Sequence, residues 1–170
     1  MATARYDLFV SYAHADDEVP SGASKGWVTT LADELRKVLR RKLGGRGAEV
    51  WMDHQLAANA NVPNALLDTL RSSRTLLLVM SPGYQVSPWC QRELGNFLVQ
   101  SAAQKSTDNV FIVEIEPVTR ESWHKSLQPL NGIRFWHKEN EDKAPRLLGF
   151  PIPKADEDNP YFRWIANDGA

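Results

Sequence analysis

The sequence predicts an α/β fold in which a five-stranded parallel sheet carries helices on both faces. Short apolar segments, rich in β-branched and aromatic residues, alternate with segments of helical spacing. The most apolar segment, residues 75–80 (TLLLVM), has the length and flanks of a central parallel strand that is covered on both faces. The chain has 170 residues, which is enough for one domain with a core and too few for two of ordinary size.

The first half of the chain supplies two strands and a helix. Residues 6–12 (YDLFVSY) are predicted to form a buried strand, and residues 14–26 a polar loop. A helix begins near Trp27, because apolar residues recur there at helical spacing, and it ends at the glycines of residues 44–47. Basic side chains in its last turn suit the helix dipole. Residues 48–52 (AEVWM) follow as the second strand.

The second helix and the third strand come next. Residues 53–61 are predicted to be a loop, and Pro63 suits the first turn of a helix that Asn61 or Val62 caps. The strand at 75–80 then ends at residues 81–83 (SPG), which we interpret as a strand break.

A further helix is indicated by Ser87 and Pro88, which have the pattern of an N-cap followed by proline at the first helical position. Its buried face carries Cys90, Leu94 and Phe97. We expect Cys90 to be a small buried hydrophobe rather than a nucleophile.

The remaining strands lie in residues 110–115 (VFIVEI) and 133–136 (IRFW), with a short helix predicted over residues 123–130. The pattern weakens after residue 137. We therefore assign residues 1–137 to the domain core and residues 138–170 to a wrapping segment or a linker to a further domain.

Near the C-terminus, residues 161–165 (YFRWI) are too apolar to be simply solvated. We expect them either to dock on the domain or to begin something that follows it.

Composition excludes several classes of function. With 20 basic and 21 acidic residues there is no basic excess, so we expect no nucleic-acid partner. The single cysteine excludes an internal disulfide and is consistent with a cytoplasmic location. No two of the four histidines lie at a metal-ligand spacing, so we expect no metal. No apolar stretch is long enough to span a membrane, and we expect no membrane partner.

Four segments in order resemble one family. They are residues 6–14 (YDLFVSYAH), residues 50–53 (VWMD), residues 76–94 (LLLVMSPGYQVSPWCQREL) and residues 133–136 (IRFW). Together they resemble the Toll/interleukin receptor (TIR) domain over residues 5–137. The resemblance implies a flavodoxin-like fold, in agreement with the elements above.

Two departures concern the loop after the second strand. Asn59 stands where the family usually has glycine, and the loop lacks the Arg-Asp-Pro-Gly sequence of animal signalling receptors. Signalling in the manner of those receptors is therefore not the leading expectation.

TIR domains include interaction modules and enzymes that cleave NAD⁺ at the nicotinamide–ribose bond. The resemblance implies that the catalytic glutamate of such an enzyme is Glu93, with NAD⁺ as substrate and no bound cofactor. Trp89 lies one helical turn earlier, and its ring could stack on nicotinamide or adenine.

The other candidate residues follow the first three strands. Because ligands of open α/β sheets bind at the carboxyl edge, residues there are expected to contact the substrate. The candidates for substrate binding are Ser11, Tyr12, Ala13, His14, Asp53 and Ser81.

The leading hypothesis is a bacterial-type TIR domain that hydrolyses NAD⁺ to nicotinamide and ADP-ribose, or to a cyclic isomer. By resemblance it would be activated by self-association as a homo-oligomer, in defence or cell-death signalling. The alternative is a non-enzymatic TIR–TIR interaction module, an adaptor or virulence factor that uses the loop at residues 53–61. A third hypothesis is an unrelated flavodoxin-like module that binds flavin.

Overall fold

The computed structural model describes residues 6–52, 64–103 and 108–148. The strands of the main sheet are β1 (Tyr6–Ser11), β2 (Val50–Met52), β3 (Ser73–Met80), β4 (Val110–Glu114) and β5 (Gly132–Arg134). The helices are α1 (Trp27–Lys42), α2 (Asn64–Arg71), α3 (Pro82–Val86) and α4 (Pro88–Ala103). The sheet has the order β2-β1-β3-β4-β5 with every pair parallel. The predicted fold class is therefore confirmed.

Two separate cores cover the two faces of the sheet, because successive side chains of a strand point to opposite faces. Phe9, Leu76 and Leu78 face the core that α2 and α4 cover. Val10 and Leu77 face the second core, which α1 closes. The alternation places Ser11, the last residue of β1, on the same side as α4.

The loop between β1 and α1 contains a one-turn 3₁₀ helix (His14–Asp17) that the sequence did not predict. Asp17 reaches across to the start of α1, where its carboxylate accepts hydrogen bonds from Thr29 N at 2.8 Å and Thr29 Oγ1 at 2.6 Å. An acceptor in the first helical turn satisfies a free N–H group. The loop is therefore fastened to the helix that it precedes.

One expectation was wrong. Residues 123–130 form a series of turns rather than a helix, and their hydrogen bonds join residues three apart, as from Leu127 N to His124 O at 2.8 Å. The predicted strand break at residues 81–83 is confirmed, since β3 ends at Met80, but the sequence did not predict that Ser81 caps α3 by accepting a hydrogen bond from Tyr84 N. The predicted start of the second helix, around Asn61 and Pro63, lies outside the described residues.

The predicted fifth strand is divided. After Phe135, the chain leaves the main sheet as β6 (Trp136–His137), which pairs antiparallel with β7 (Arg146–Leu147). Leu148 N donates to Phe135 O at 2.6 Å, and Trp27 Nε1 donates to Leu148 O at 2.8 Å. The division of the chain at residue 137 stays a prediction, and residues 149–170 lie outside the described part.

Within the described ranges, no helix combines the length and hydropathy that crossing a membrane requires.

Candidate active site

The strand order identifies the point of the sheet edge at which open α/β sheets bind ligands. In a sheet of order 2-1-3-4-5, the connections from β1 and β3 run to opposite sides, and ligands bind beyond the carboxyl ends of these two strands. Ser11 ends β1, and Ser81 directly follows β3. Both predicted residues therefore lie at the point where this fold binds ligands.

Glu93 lies beneath that point, on α4. It is 3% exposed, and its Oε2 accepts a hydrogen bond from Ser11 Oγ at 2.5 Å. Ser11 Oγ in turn lies 3.1 Å from the hydroxyl of Tyr84, which is fully buried. Three elements, β1, α3 and α4, thus supply one continuous polar cluster inside an otherwise apolar core.

The direction of these hydrogen bonds follows from the number of protons. A serine hydroxyl has one proton, and Ser11 donates it to Glu93. Tyr84 then shares its one hydroxyl proton between Ser11 Oγ at 3.1 Å and the backbone oxygen of Cys90 at 3.4 Å. Burial raises the pKa of Tyr84 well above its ordinary value, and the neighbouring Cys90 and Glu93 add to this effect, so the phenol keeps its proton. The carboxyl group of Glu93 is therefore supported by a relay of two hydroxyls.

Cys90 does not supply a nucleophile to this site. The thiol is 1% exposed, and burial raises its pKa to about 12, since the charged thiolate is disfavoured away from water. Its backbone N–H donates to Ser87 Oγ at 3.3 Å, which is the cap that the Ser-Pro pattern predicted. Cys90 packs as the small buried hydrophobe that we expected.

A second carboxyl group, Asp16, lies at the same edge. Its Oδ2 accepts a hydrogen bond from Ser81 Oγ at 2.6 Å, and Ser81 Oγ accepts one from Tyr84 N. The pKa of Asp16 is raised to about 6, chiefly by burial; the hydrogen bond from the Ser81 hydroxyl opposes this rise, and the charge of Glu116 adds to it. Asp16 therefore joins the loop after β1 to the start of α3.

The other predicted residues are distributed differently. Tyr12 packs in the second core, with its ring centroid 5.7 Å from that of the exposed His14. Ala13 is buried with the first core, beside Gly83. Trp89 is half-buried against the first core. Asp53 lies outside the described residues. The structure thus brings Ser11 and Glu93 together and directs Tyr12 to the opposite face.

Two residues at this edge were missed from the sequence, namely Tyr84 in the cluster and Asp16 beside Ser81. A signal for Tyr84 existed: Ser81 and Pro82 form the same N-cap pattern that predicted α4 at Ser87 and Pro88. For Asp16 there was no comparable signal, because its partner is 65 residues away along the chain.

Removing the two hydroxyls of the relay is expected to destabilise the fold unequally. Ser11→Ala removes the hydrogen bonds of the Ser11 hydroxyl to Glu93 and Tyr84 and should lower the free energy of unfolding by about 2 kcal/mol, and Tyr84→Phe by about 1 kcal/mol. Urea denaturation measures both, and the double variant should lose less than their sum. Ser122→Ala, at an exposed position, is the control, and a loss as large as that of Ser11→Ala would contradict this account.

Asp16 is expected to make stability depend on pH. Its carboxyl group ionises near pH 4 when unfolded and near pH 6 when folded, so between these values the folded state holds the extra proton. Its contribution to the free energy of unfolding therefore falls as pH rises through this window. Asp16→Asn keeps an acceptor for Ser81 and cannot ionise. Its stability relative to the wild type should rise between about pH 4 and pH 7 in urea denaturation, and a constant difference would contradict the assignment.

Among the described residues, no group of three or more His, Cys, Asp or Glu side chains is placed to hold a metal ion.

Comparison with known proteins identifies the family of the chain. A family model of the TIR domain matches residues 8–148. This match excludes the unrelated flavodoxin-like module that the sequence left open. A comparison with curated proteins found no match.

Solved structures with a similar fold include three proteins with TIR domains. A metazoan TIR-STING receptor from C. gigas, in complex with 2',3'-cGAMP, is 20% identical over 79% of this chain and 36% of that chain, with a TM-score of 0.50. The TIR domain of the Toll-related receptor TRR-2 from Hydra magnipapillata is 13% identical over 76% of this chain and 84% of that one, with a TM-score of 0.48. The TIR domains of the activated Roq1 resistosome, which recognises the pathogen effector XopQ, are 24% identical over 69% of this chain and 61% of that one, with a TM-score of 0.45.

Proposed function

The chain belongs to the TIR domain family, and from that premise we propose that it cleaves NAD⁺ between nicotinamide and ribose. The observation that carries the proposal is the buried carboxyl group of Glu93, held by the Ser11 hydroxyl beneath the carboxyl ends of β1 and β3. An acidic group in a water-poor crevice at that edge is suited to stabilising positive charge on a bound substrate.

The cleavage reaction requires few protein groups besides such a carboxyl group. When the bond between ribose C1' and the nicotinamide nitrogen breaks, its electron pair goes to the cationic ring, which leaves neutral and needs no acid to protonate it. The positive charge moves to the ribosyl group, and a carboxylate nearby stabilises it. Water then attacks C1' and loses a proton, and in this scheme Glu93 accepts that proton. Attack by a group of the same molecule would instead give a cyclic product.

The Ser11–Tyr84 relay has a role in this scheme. Because the Ser11 hydroxyl, itself held by Tyr84, fixes one oxygen of the carboxyl group, Glu93 meets the developing charge in a set orientation and needs no rearrangement during the reaction. Ser11 is in this sense a positioning residue.

NAD⁺ must reach the carboxyl group of Glu93 before the bond can be cleaved, and Glu93 is only 3% exposed. We propose that self-association opens the crevice and completes it with groups from a neighbouring copy. Activity should therefore rise more steeply than in proportion to protein concentration.

The interaction-module alternative has one observation in its favour. A carboxyl group that is nearly inaccessible and hydrogen-bonded inside a core also serves as a structural element that specifies how β1, α3 and α4 pack. In that case Glu93 would matter for folding and would have no substrate.

The test is to incubate the protein with NAD⁺ over a range of concentrations up to the highest soluble one, beside Glu93→Ala, and to follow nicotinamide and ADP-ribose products by chromatography. Release that is lost in the variant supports the proposal. Release that persists in a folded variant overturns the assignment of Glu93. If nothing is released even when the chain is artificially clustered, the interaction module is the function.

A further inference from the structure

An apolar groove of about 480 Å³ lies between α1 and the sheet, on the face away from α4. Leu35 and Leu39 of α1, with Leu43 at its C-cap, form the wall, and Leu77, Phe111 and Ile133 form the floor on the strands. The groove is thus distinct from the polar cluster around Glu93.

The floor of the groove is unusually open for a parallel sheet. Phe111 is 50% exposed and Ile133 is 56% exposed, and both lie on the face of β4 and β5 that carries the buried Val113. Parallel sheets are normally covered on both faces. Along the described chain, α1 is the one helix on this face, and it leaves the β4–β5 side uncovered.

The chain itself leads to this groove. Leu148, the last described residue, is bonded to the groove's rim: its N–H donates to Phe135 O, and Phe135 lines the groove. Beyond it, residues 161–165 (YFRWI) contain three aromatic residues and an isoleucine. We propose that residues 161–165 bind in this groove within the same molecule and cover the open face of β4 and β5.

The length of the connecting segment and the effective concentration of a tethered peptide both favour residues 161–165 over a second copy of the chain as the occupant of the groove. Residues 149–160 span up to about 40 Å when extended. The groove follows α1 from Leu31 to Leu43, about 18 Å at the helical rise per residue. A segment tethered within that reach has an effective concentration in the millimolar range, above that of a free protein in solution. A consequence is that self-association has to use another surface while the groove is filled.

The test is a disulfide trap in the full chain. Ile133→Cys is combined with Ala166→Cys, and the matched control combines Val99→Cys with Ala166→Cys. Val99 is 74% exposed on α4, which packs on the other face of the sheet. Cys90 does not interfere, because it is buried. Under mild oxidation we expect an intramolecular disulfide in the first protein, formed at least about tenfold faster than in the control.

Other outcomes overturn the proposal. A disulfide-linked dimer would show that a second copy of the chain fills the groove. Equal rates of intramolecular disulfide formation in the two proteins would show that residues 161–165 do not bind in the groove.

A second measurement covers the case in which the cysteine variants do not fold. Hydrogen exchange at the amides of β4 and β5 should be faster in Trp164→Ser than in the wild type, and unchanged in Ile152→Ser, a substitution in the same tail. Exchange that is unchanged in Trp164→Ser, or protection that depends on protein concentration, would overturn docking within the same molecule.

Discussion

Glu93→Gln is expected to reduce nicotinamide release by about 10²–10³-fold, the scale on which a single oriented electrostatic group contributes to catalysis. Glutamine has nearly the same shape, and its side-chain oxygen still accepts the hydrogen bond from Ser11. What the substitution removes is the negative charge that stabilises the ribosyl cation. Initial rates at saturating NAD⁺ measure the effect.

Stability separates this effect from a structural one. Glu93→Gln keeps the side chain's volume and acceptor, whereas Glu93→Ala leaves a cavity and deprives the Ser11 hydroxyl of its acceptor in a buried site. We therefore expect the glutamine variant to unfold within about 1 kcal/mol of the wild type, and the alanine variant to lose more. Glu121→Gln is the matched control, because Glu121 is exposed in a short 3₁₀ helix (Arg120–Ser122) that follows β4.

The outcome that would contradict the role of Glu93 is specific. If the glutamine variant retains most of the rate while remaining folded, a negative charge at this position is not needed. Catalysis would then have to reside elsewhere along the crevice. A variant that is inactive and also unfolded would leave Glu93 as a structural residue, as the interaction-module alternative expects.

The elements that the sequence predicted correctly depend on local patterns. The buried strand β3, the cap of α4 at Ser87 and the helix at Trp27 each carry their signal within a few residues. The errors in the predicted elements arise where long-range contacts determine the local structure. Trp123 and Leu127 have the spacing of a helix, yet turns bury both of them just as well against the first core. The predicted fifth strand bends at Phe135 because that residue bonds to Glu114 and Leu148.

The same contrast between local patterns and long-range contacts applies to the candidate site. Ser11, Ser81 and Glu93 were found because strand ends and a family resemblance mark them. That Glu93 meets Ser11 and not Tyr12 follows from the alternation along β1, which the sequence contains. That Tyr84 extends the cluster depends on α3, a helix of 5 residues that is too short to show periodicity. The position of Asp16 depends on the loop between β1 and α1, whose conformation is set by long-range contacts in the folded chain.

Gly26→Ala is expected to lower the free energy of unfolding by about 2–3 kcal/mol, one of the largest effects of a single added methyl group in the described chain. Gly26 is the N-cap of α1, and a Cβ atom there would lie 2.1 Å from Asp17 O and 2.2 Å from Asp17 Oδ1. One of these atoms is backbone and the other belongs to the carboxylate that caps the helix. Neither moves without breaking the bonds of Asp17 to Thr29.

Gly95→Ala is the matched control, because Gly95 lies inside α4 and an added Cβ would meet nothing within 4 Å. Alanine favours helix over glycine, so this variant should be more stable by about 0.5–1 kcal/mol. Urea denaturation of the two proteins should thus shift in opposite directions. Since Asp16 is next to Asp17, displacing Asp17 should also weaken the Asp16–Ser81 bond and reduce the pH dependence of stability that Asp16 causes. If Gly26→Ala were as stable as the wild type, the loop between β1 and α1 could adjust its conformation at no cost in free energy. The hydrogen bonds of Asp17 to Thr29 would then not position the candidate site.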